Sequence, residues 1–262
     1  MSARFAVCEL VLRQGSFAAD VAVAKAAGVG AIGVNAEVVD AIGSDEARRV
    51  LDGEGLVASS YMGLEPILQG EGVTADLDET ARRLDMAASI GAPAALAITG
   101  ALGGLTASDA EARCRDWLAR AAALAVGCDI RLMLEPIHPL MRNLSFVHTM
   151  EHGLAMVEGI EGAGVVLDFG NVWWEHDLER LVRDHVADIV SVQLTNVDAT
   201  ALAEARYERA PLDSGDVPVA AFVRLLEASG YRGWYEYEVL VRTRREQRVD
   251  MLQASREWFE GL

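Results

Sequence analysis

Lysine is nearly missing from this sequence. Lys25 is the sole lysine among 23 basic residues, which face 40 acidic ones. The net charge of −17 repels phosphodiester backbones and anionic lipid. No nucleic acid and no membrane is therefore expected as a partner, and small neutral molecules or cations are favoured. Cysteine is scarce too. Cys8, Cys114 and Cys128 are odd in number and form no C-x-x-C pair, which argues against a disulfide framework and for a reducing, cytoplasmic setting. Each thiol reads as a small buried hydrophobe. No apolar run approaches the ~18 residues of a membrane span, and the first residues lack the apolar core of a secretory signal. Linkers and low-complexity runs are also absent. With 52% hydrophobic residues the chain has no disordered character, and residues 1–262 read as one domain.

What the chain does contain is a regular alternation. Short apolar runs begin at Phe5, Ala31, Leu56, Ala94, Arg131, Gly164, Asp188 and Gly233, each followed by a helical pattern. Ser16 can cap a helix, and Thr74 with Asp76, and Thr106 with Ser108, stand where two more would open. Gly28, Gly91 and Gly127 stand where they would end. The expected helices include Ser145 to Val157 and Glu246 to Phe259, with a long loop from Val197 to Val217. Eight strand-then-helix units imply parallel strands with helical crossovers. At this length they point to a closed (β/α)8 TIM barrel. An open doubly wound sheet is less suited, because the turn Glu9–Gly15 lacks the glycine-rich phosphate fingerprint.

Four of the apolar runs end in an oxygen-bearing side chain. Arg131-Leu-Met-Leu-Glu135 is stopped by Pro136, Gly164-Val-Val-Leu ends at Asp168, Asp188-Ile-Val-Ser-Val ends at Gln193, and Gly233-Trp-Tyr-Glu-Tyr ends at Glu238. A buried carboxylate needs a partner. In a barrel these strand ends surround one mouth, so the four oxygens converge. Three carboxylates there would raise one another's pKa, and one divalent cation would remove the conflict. An all-oxygen donor set favours a hard ion, Mn2+ or Mg2+, over Zn2+.

The segments Leu134-Glu135-Pro136, Leu167-Asp168-Phe169-Gly170, Ser191-Val-Gln193-Leu and Gly230 through Glu238 resemble the sugar phosphate isomerase/epimerase superfamily, the xylose-isomerase-like barrels. The resemblance covers essentially the whole chain. It implies a Mn2+ or Mg2+ site at Glu135, Asp168, Gln193 and Glu238. It also implies that Glu135 and Glu238 move protons on a bound ketose. Two positions depart from the family pattern. Gln193 stands where many members have histidine, as in the hydroxypyruvate-isomerase-like branch. Asn171 stands where many have a substrate-contacting or proton-relaying histidine.

The expected activity is that of a metal-dependent isomerase or epimerase acting beside a carbonyl of a ketose, keto acid or related polyol. A lyase or dehydratase on the same barrel is the alternative, and Asn171 adds weight to it. A non-catalytic sugar-binding barrel would lack metal, and a DNA-repair endonuclease is opposed by the charge. His138 can face the mouth in place of the missing histidine. Arg209, in Tyr207-Glu-Arg209-Ala-Pro211, resembles the family's substrate-reaching arginine. Trp173 or Trp174 can wall the pocket. Glu236, one layer below Glu238, competes for its role. Glu9, Asn35, Glu37 and Tyr61 lie near other strand ends. The resemblance allows a homo-oligomer without locating an interface.

Overall fold

The computed structural model describes residues 4–13, 15–204, 206, 208–240 and 248–262. All eight expected strands form: β1 (Phe5–Cys8), β2 (Ala31–Asn35), β3 (Val57–Met62), β4 (Ala94–Ala97), β5 (Arg131–Leu134), β6 (Ala163–Asp168), β7 (Ile189–Leu194) and β8 (Tyr235–Tyr237). Every neighbouring pair is parallel. The order β1-β8-β7-β6-β5-β4-β3-β2 closes on itself. The chain is a TIM barrel with its helices outside. Among the described residues no helix is long and apolar enough to cross a membrane.

Ser16 caps as expected, and of the paired candidates at the next two starts Asp76 and Thr106, not Thr74 and Ser108, do the capping. Ser16, Asp76 and Thr106 accept from Ala19, Asp78 and Asp109 backbone N–H groups, satisfying donors that helix starts leave open. The expected helix from Ser145 begins at Met150 instead, capped by Thr149. Ser145 is occupied elsewhere, its hydroxyl 2.8 Å from that of Thr99. Three short helices were not anticipated: Glu9–Leu12, Ala36–Ile42 and Phe169–Val172, each starting directly after a strand. The loop after β7 is also more ordered than expected, with a two-stranded pairing of Asn196–Val197 and Arg209–Ala210 and a short helix, Ala199–Ala203. The last helix runs from Arg248 to Glu260, and its expected start at Glu246 lies outside the described residues.

Alternation along each strand divides side chains between the barrel lumen and the helices. On β8, Tyr235 faces outward and packs with its ring centroid 5.0 Å from that of Phe259, which also lies 5.3 Å from Phe5. The last helix thereby seals β1 and β8. Glu236 points the other way and is fully buried. Its carboxylate accepts from Ser59 Oγ at 2.7 Å and Ser60 Oγ at 2.9 Å. Space for it comes from Gly33, where a Cβ would stand 2.5 Å from a Glu236 oxygen. Gly33→Ala should therefore push Glu236 off its hydroxyl donors and cost about 1–3 kcal/mol of stability, read by denaturant unfolding. An unchanged unfolding midpoint would mean the lumen has slack at this layer.

Candidate metal centre

Backbone pairing fixes all four strand-end residues. Glu135 N donates to Ala97 O at 3.0 Å and Glu238 N donates to Leu194 O at 3.0 Å, so each carboxylate sits one residue beyond its strand. Asp168 closes β6, and its Oδ1 accepts from Gly170 N at 2.8 Å. Gln193 is the register partner of both Asp168 and Glu236, which places its side chain on their face of the sheet. One ligand oxygen from each of Glu135, Asp168 and Glu238 lies within 4.8 Å of the others. Gln193 is buried beside them, and its Oε1 has no hydrogen-bond partner among the described residues.

Electrostatics makes this a strained cluster. Two like charges at such a separation repel by roughly 3–4 kcal/mol at an effective dielectric near 20. Burial, then the charges of Glu238 and Asp168, push the Glu135 carboxyl well above the carboxylate range. Burial, then Asp168, lift Glu238 to about 8. Arg209 opposes both shifts. Its Nη2 donates to Asp168 Oδ2 at 3.1 Å, and its Nη1 reaches both Asp168 oxygens at 3.2–3.3 Å. One guanidinium offsets one of three acidic groups. A divalent cation would offset two more. The unpartnered Gln193 Oε1, an acceptor with nothing to accept, fits a cation as its missing neighbour. The donor set therefore fits a hard divalent ion held by Glu135, Asp168, Gln193 and Glu238.

The other candidates separate by contact. Asn171 is buried and acts as a strut. Its Nδ2 donates to Glu135 Oε1 at 2.9 Å, and its Oδ1 accepts from His138 N at 3.3 Å. His138 is half-buried, and its Nδ1 accepts from Leu140 N at 3.2 Å. Burial, then the charges of His148 and Arg209, lower its pKa. Trp173 packs against the hydrophobic core. Trp174 is the exposed indole, set edge-on to His138 at 6.2 Å, with its Nε1 donating to Asn171 O at 2.9 Å. Asn35 caps a helix by accepting from Glu37 N at 2.8 Å. Glu9 pairs with Asp20, and burial lifts it to about 7. Glu236 is taken up by its serines, which leaves Glu238 as the β8 carboxylate of the cluster. The sequence reading missed Cys8, whose thiol lies 3.4 Å from Glu238 Oε1. Its position at the end of β1 was the available signal.

A family profile described as the xylose isomerase-like TIM barrel matches residues 21–262. Comparison with curated protein sequences returns no match. Among solved structures, protein SMc04130 of Sinorhizobium meliloti 1021 is similar at 22% identity and a TM-score of 0.86, covering 100% of this chain and 98% of that one. The 3-keto-D-glucoside 4-epimerase of E. coli, in its apo form, is similar at 15% identity and 0.82, with 99% of each chain covered. IOLI protein with a bound zinc atom is similar at 14% identity and 0.81, with 96% of each covered. At these identities the likeness is one of fold.

Coordination needs ionised carboxylates, and in the metal-free protein Glu238 holds its proton below about pH 8. Cation binding should then expel protons. Affinity should rise by about tenfold per pH unit for each proton expelled as the pH climbs toward about 8, where Glu238 gives up its own. Titration calorimetry with Mn2+ in buffers of different ionisation enthalpy reads this directly. Affinity that stays flat over that range would contradict the protonated cluster.

Proposed function

The chain belongs to the xylose isomerase-like TIM barrel family, and from that premise we propose that it is a divalent-metal-dependent sugar isomerase or epimerase. Its substrate would be a ketose, keto acid or related polyol, and the chemistry proton transfer beside a carbonyl. The observation that carries this reading is the pairing of Glu135 and Glu238. Both are buried, both are lifted above the usual carboxylate range, and both sit in the cluster that fits the cation.

A bound divalent cation supplies Lewis acidity that polarises a carbonyl oxygen and acidifies the neighbouring C–H. Glu135 and Glu238 are the groups that take and return that proton. As ligands both would be ionised, and an ionised carboxylate within reach of the acidified C–H can act as a general base. Asn171 keeps Glu135 aimed, since its amide donates to Oε1 while its carbonyl is tied to the His138 backbone. Arg209 brings a donor-rich cation to the same spot and would orient substrate hydroxyls. Three carboxylates, a divalent cation and Arg209 sum to no net charge, which suits a neutral hydroxylated substrate. Mn2+ or Mg2+ suits the oxygen donors. His138 and Trp174 would border the substrate at the mouth, with Trp173 behind them.

One observation favours a second reading. Asn171 cannot relay a proton, so an intermediate deprotonated beside its ketone would have one fewer route to reprotonation. A lyase that then loses water or an alcohol fits such a site.

Proton NMR in deuterated water with the Mg2+-loaded protein separates the two. Ketoses, hydroxypyruvate, inososes and 3-keto-glycosides form the panel. Isomerase chemistry predicts deuterium incorporation with a new isomer. Glu135→Gln and Glu238→Gln should each slow the exchange by about 10²–10⁴-fold. Loss of water or aglycone would move the assignment to a lyase, and full activity in both variants would sink the proton-transfer roles.

A further inference from the structure

Each carboxylate of the cluster has its own holder. Asn171 donates to Glu135, Gly170 N and Arg209 donate to Asp168, and Cys8 stands against Glu238. We propose that Cys8 is a positioning residue whose thiol, by donating to Glu238 Oε1, fixes the orientation in which that carboxylate meets the cation and the substrate. The proposal rests on the reading of Glu238 as ligand and proton-transfer group.

The placement follows from register. Val7 of β1 pairs with Tyr237 of β8, so Cys8 comes level with Glu238 and points into the lumen as Glu238 does. Cys8 is completely buried. Its sulfur has two acceptors in reach, Glu238 Oε1 at 3.4 Å and Met62 Sδ at 3.6 Å. The thiol has one proton to give, and a carboxylate accepts it far better than a thioether. Among the described residues no other side chain is seen donating a hydrogen bond to Glu238. A thiol suits this role chemically. It is a weak donor, so it can orient the carboxylate while leaving it basic enough to accept a substrate proton. A guanidinium there would suppress that basicity.

The test is cation affinity. Mn2+ and Co2+ would be titrated into the full chain and into Cys8→Ala, Cys8→Val and Cys8→Ser, with the near-ultraviolet spectrum of each Co2+ form recorded. Removing a group that orients a ligand costs about 10-fold or more in affinity. Cys8→Ala and Cys8→Val should both show that loss. Cys8→Ser, which keeps a donor, should stay within about threefold of the parent. The two donor-free variants differ in size, so a packing effect would separate them. No sulfur-to-cobalt charge-transfer band should appear in the parent. Unchanged affinity in Cys8→Ala and Cys8→Val would overturn the proposal while leaving the metal site standing. A charge-transfer band lost in Cys8→Ser would overturn it differently, by making Cys8 a ligand. A parent chain that binds neither ion would remove the functional reading and the proposal with it.

Discussion

Mutual repulsion among three buried carboxyl groups is the constraint on which the rest of this structure depends. Barrel closure brings the ends of β5, β6 and β8 together whether or not the charges agree. Side-chain oxygens within 4.8 Å of one another cannot all be ionised without a compensating cation. The protein answers in three ways. Arg209 lies across Asp168, protons remain on Glu135 and Glu238 to unusually high pH, and Gln193 leaves an acceptor oxygen open. Each answer fits a cluster that could hold a divalent ion.

The elements around the cluster are built to hold it. Asn196 clasps the loop that carries Arg209, donating from Nδ2 to Leu212 O at 3.0 Å and accepting at Oδ1 from Val217 N at 2.8 Å. Arg209 is thereby kept within reach of Asp168 across 41 residues of sequence. Beneath the site, Glu236 with Ser59 and Ser60 forms a satisfied polar layer. Ala94, Met133 and Val166 form a separate small buried apolar cluster. A rigid floor of this kind is what holds first-contact groups to within fractions of an ångström.

Much of this was legible in the chain. Apolar runs that end in Glu, Asp or Gln mark strand ends at a barrel mouth, so Glu135, Asp168, Gln193 and Glu238 could be named together before any coordinates. The helix starts were legible too, since cap signals are local, although Thr74 and Ser108 compete there with the residues that cap, Asp76 and Thr106. What stayed hidden depends on contacts between distant segments. Cys8 reads correctly as a buried thiol, but its neighbour Glu238 lies 230 residues away. Asn171 stands out in sequence as a missing histidine, whereas in the fold it is the strut under Glu135. Ser145 looked like a helix start because nothing local reveals that Thr99 claims its hydroxyl. The short helices after β1, β2 and β6 are too brief to show periodicity.

The central claim is that Glu135, Asp168, Gln193 and Glu238 hold one divalent cation in a place now shared with Arg209. The most direct test is a crystal structure of the Mn2+-soaked protein with anomalous diffraction at the manganese edge. The account predicts a single strong peak bounded by those four side chains, with Gln193 Oε1 turned to the ion and the Arg209 guanidinium drawn back from Asp168. A peak elsewhere, or an Arg209–Asp168 pair unchanged at saturating Mn2+, would contradict it.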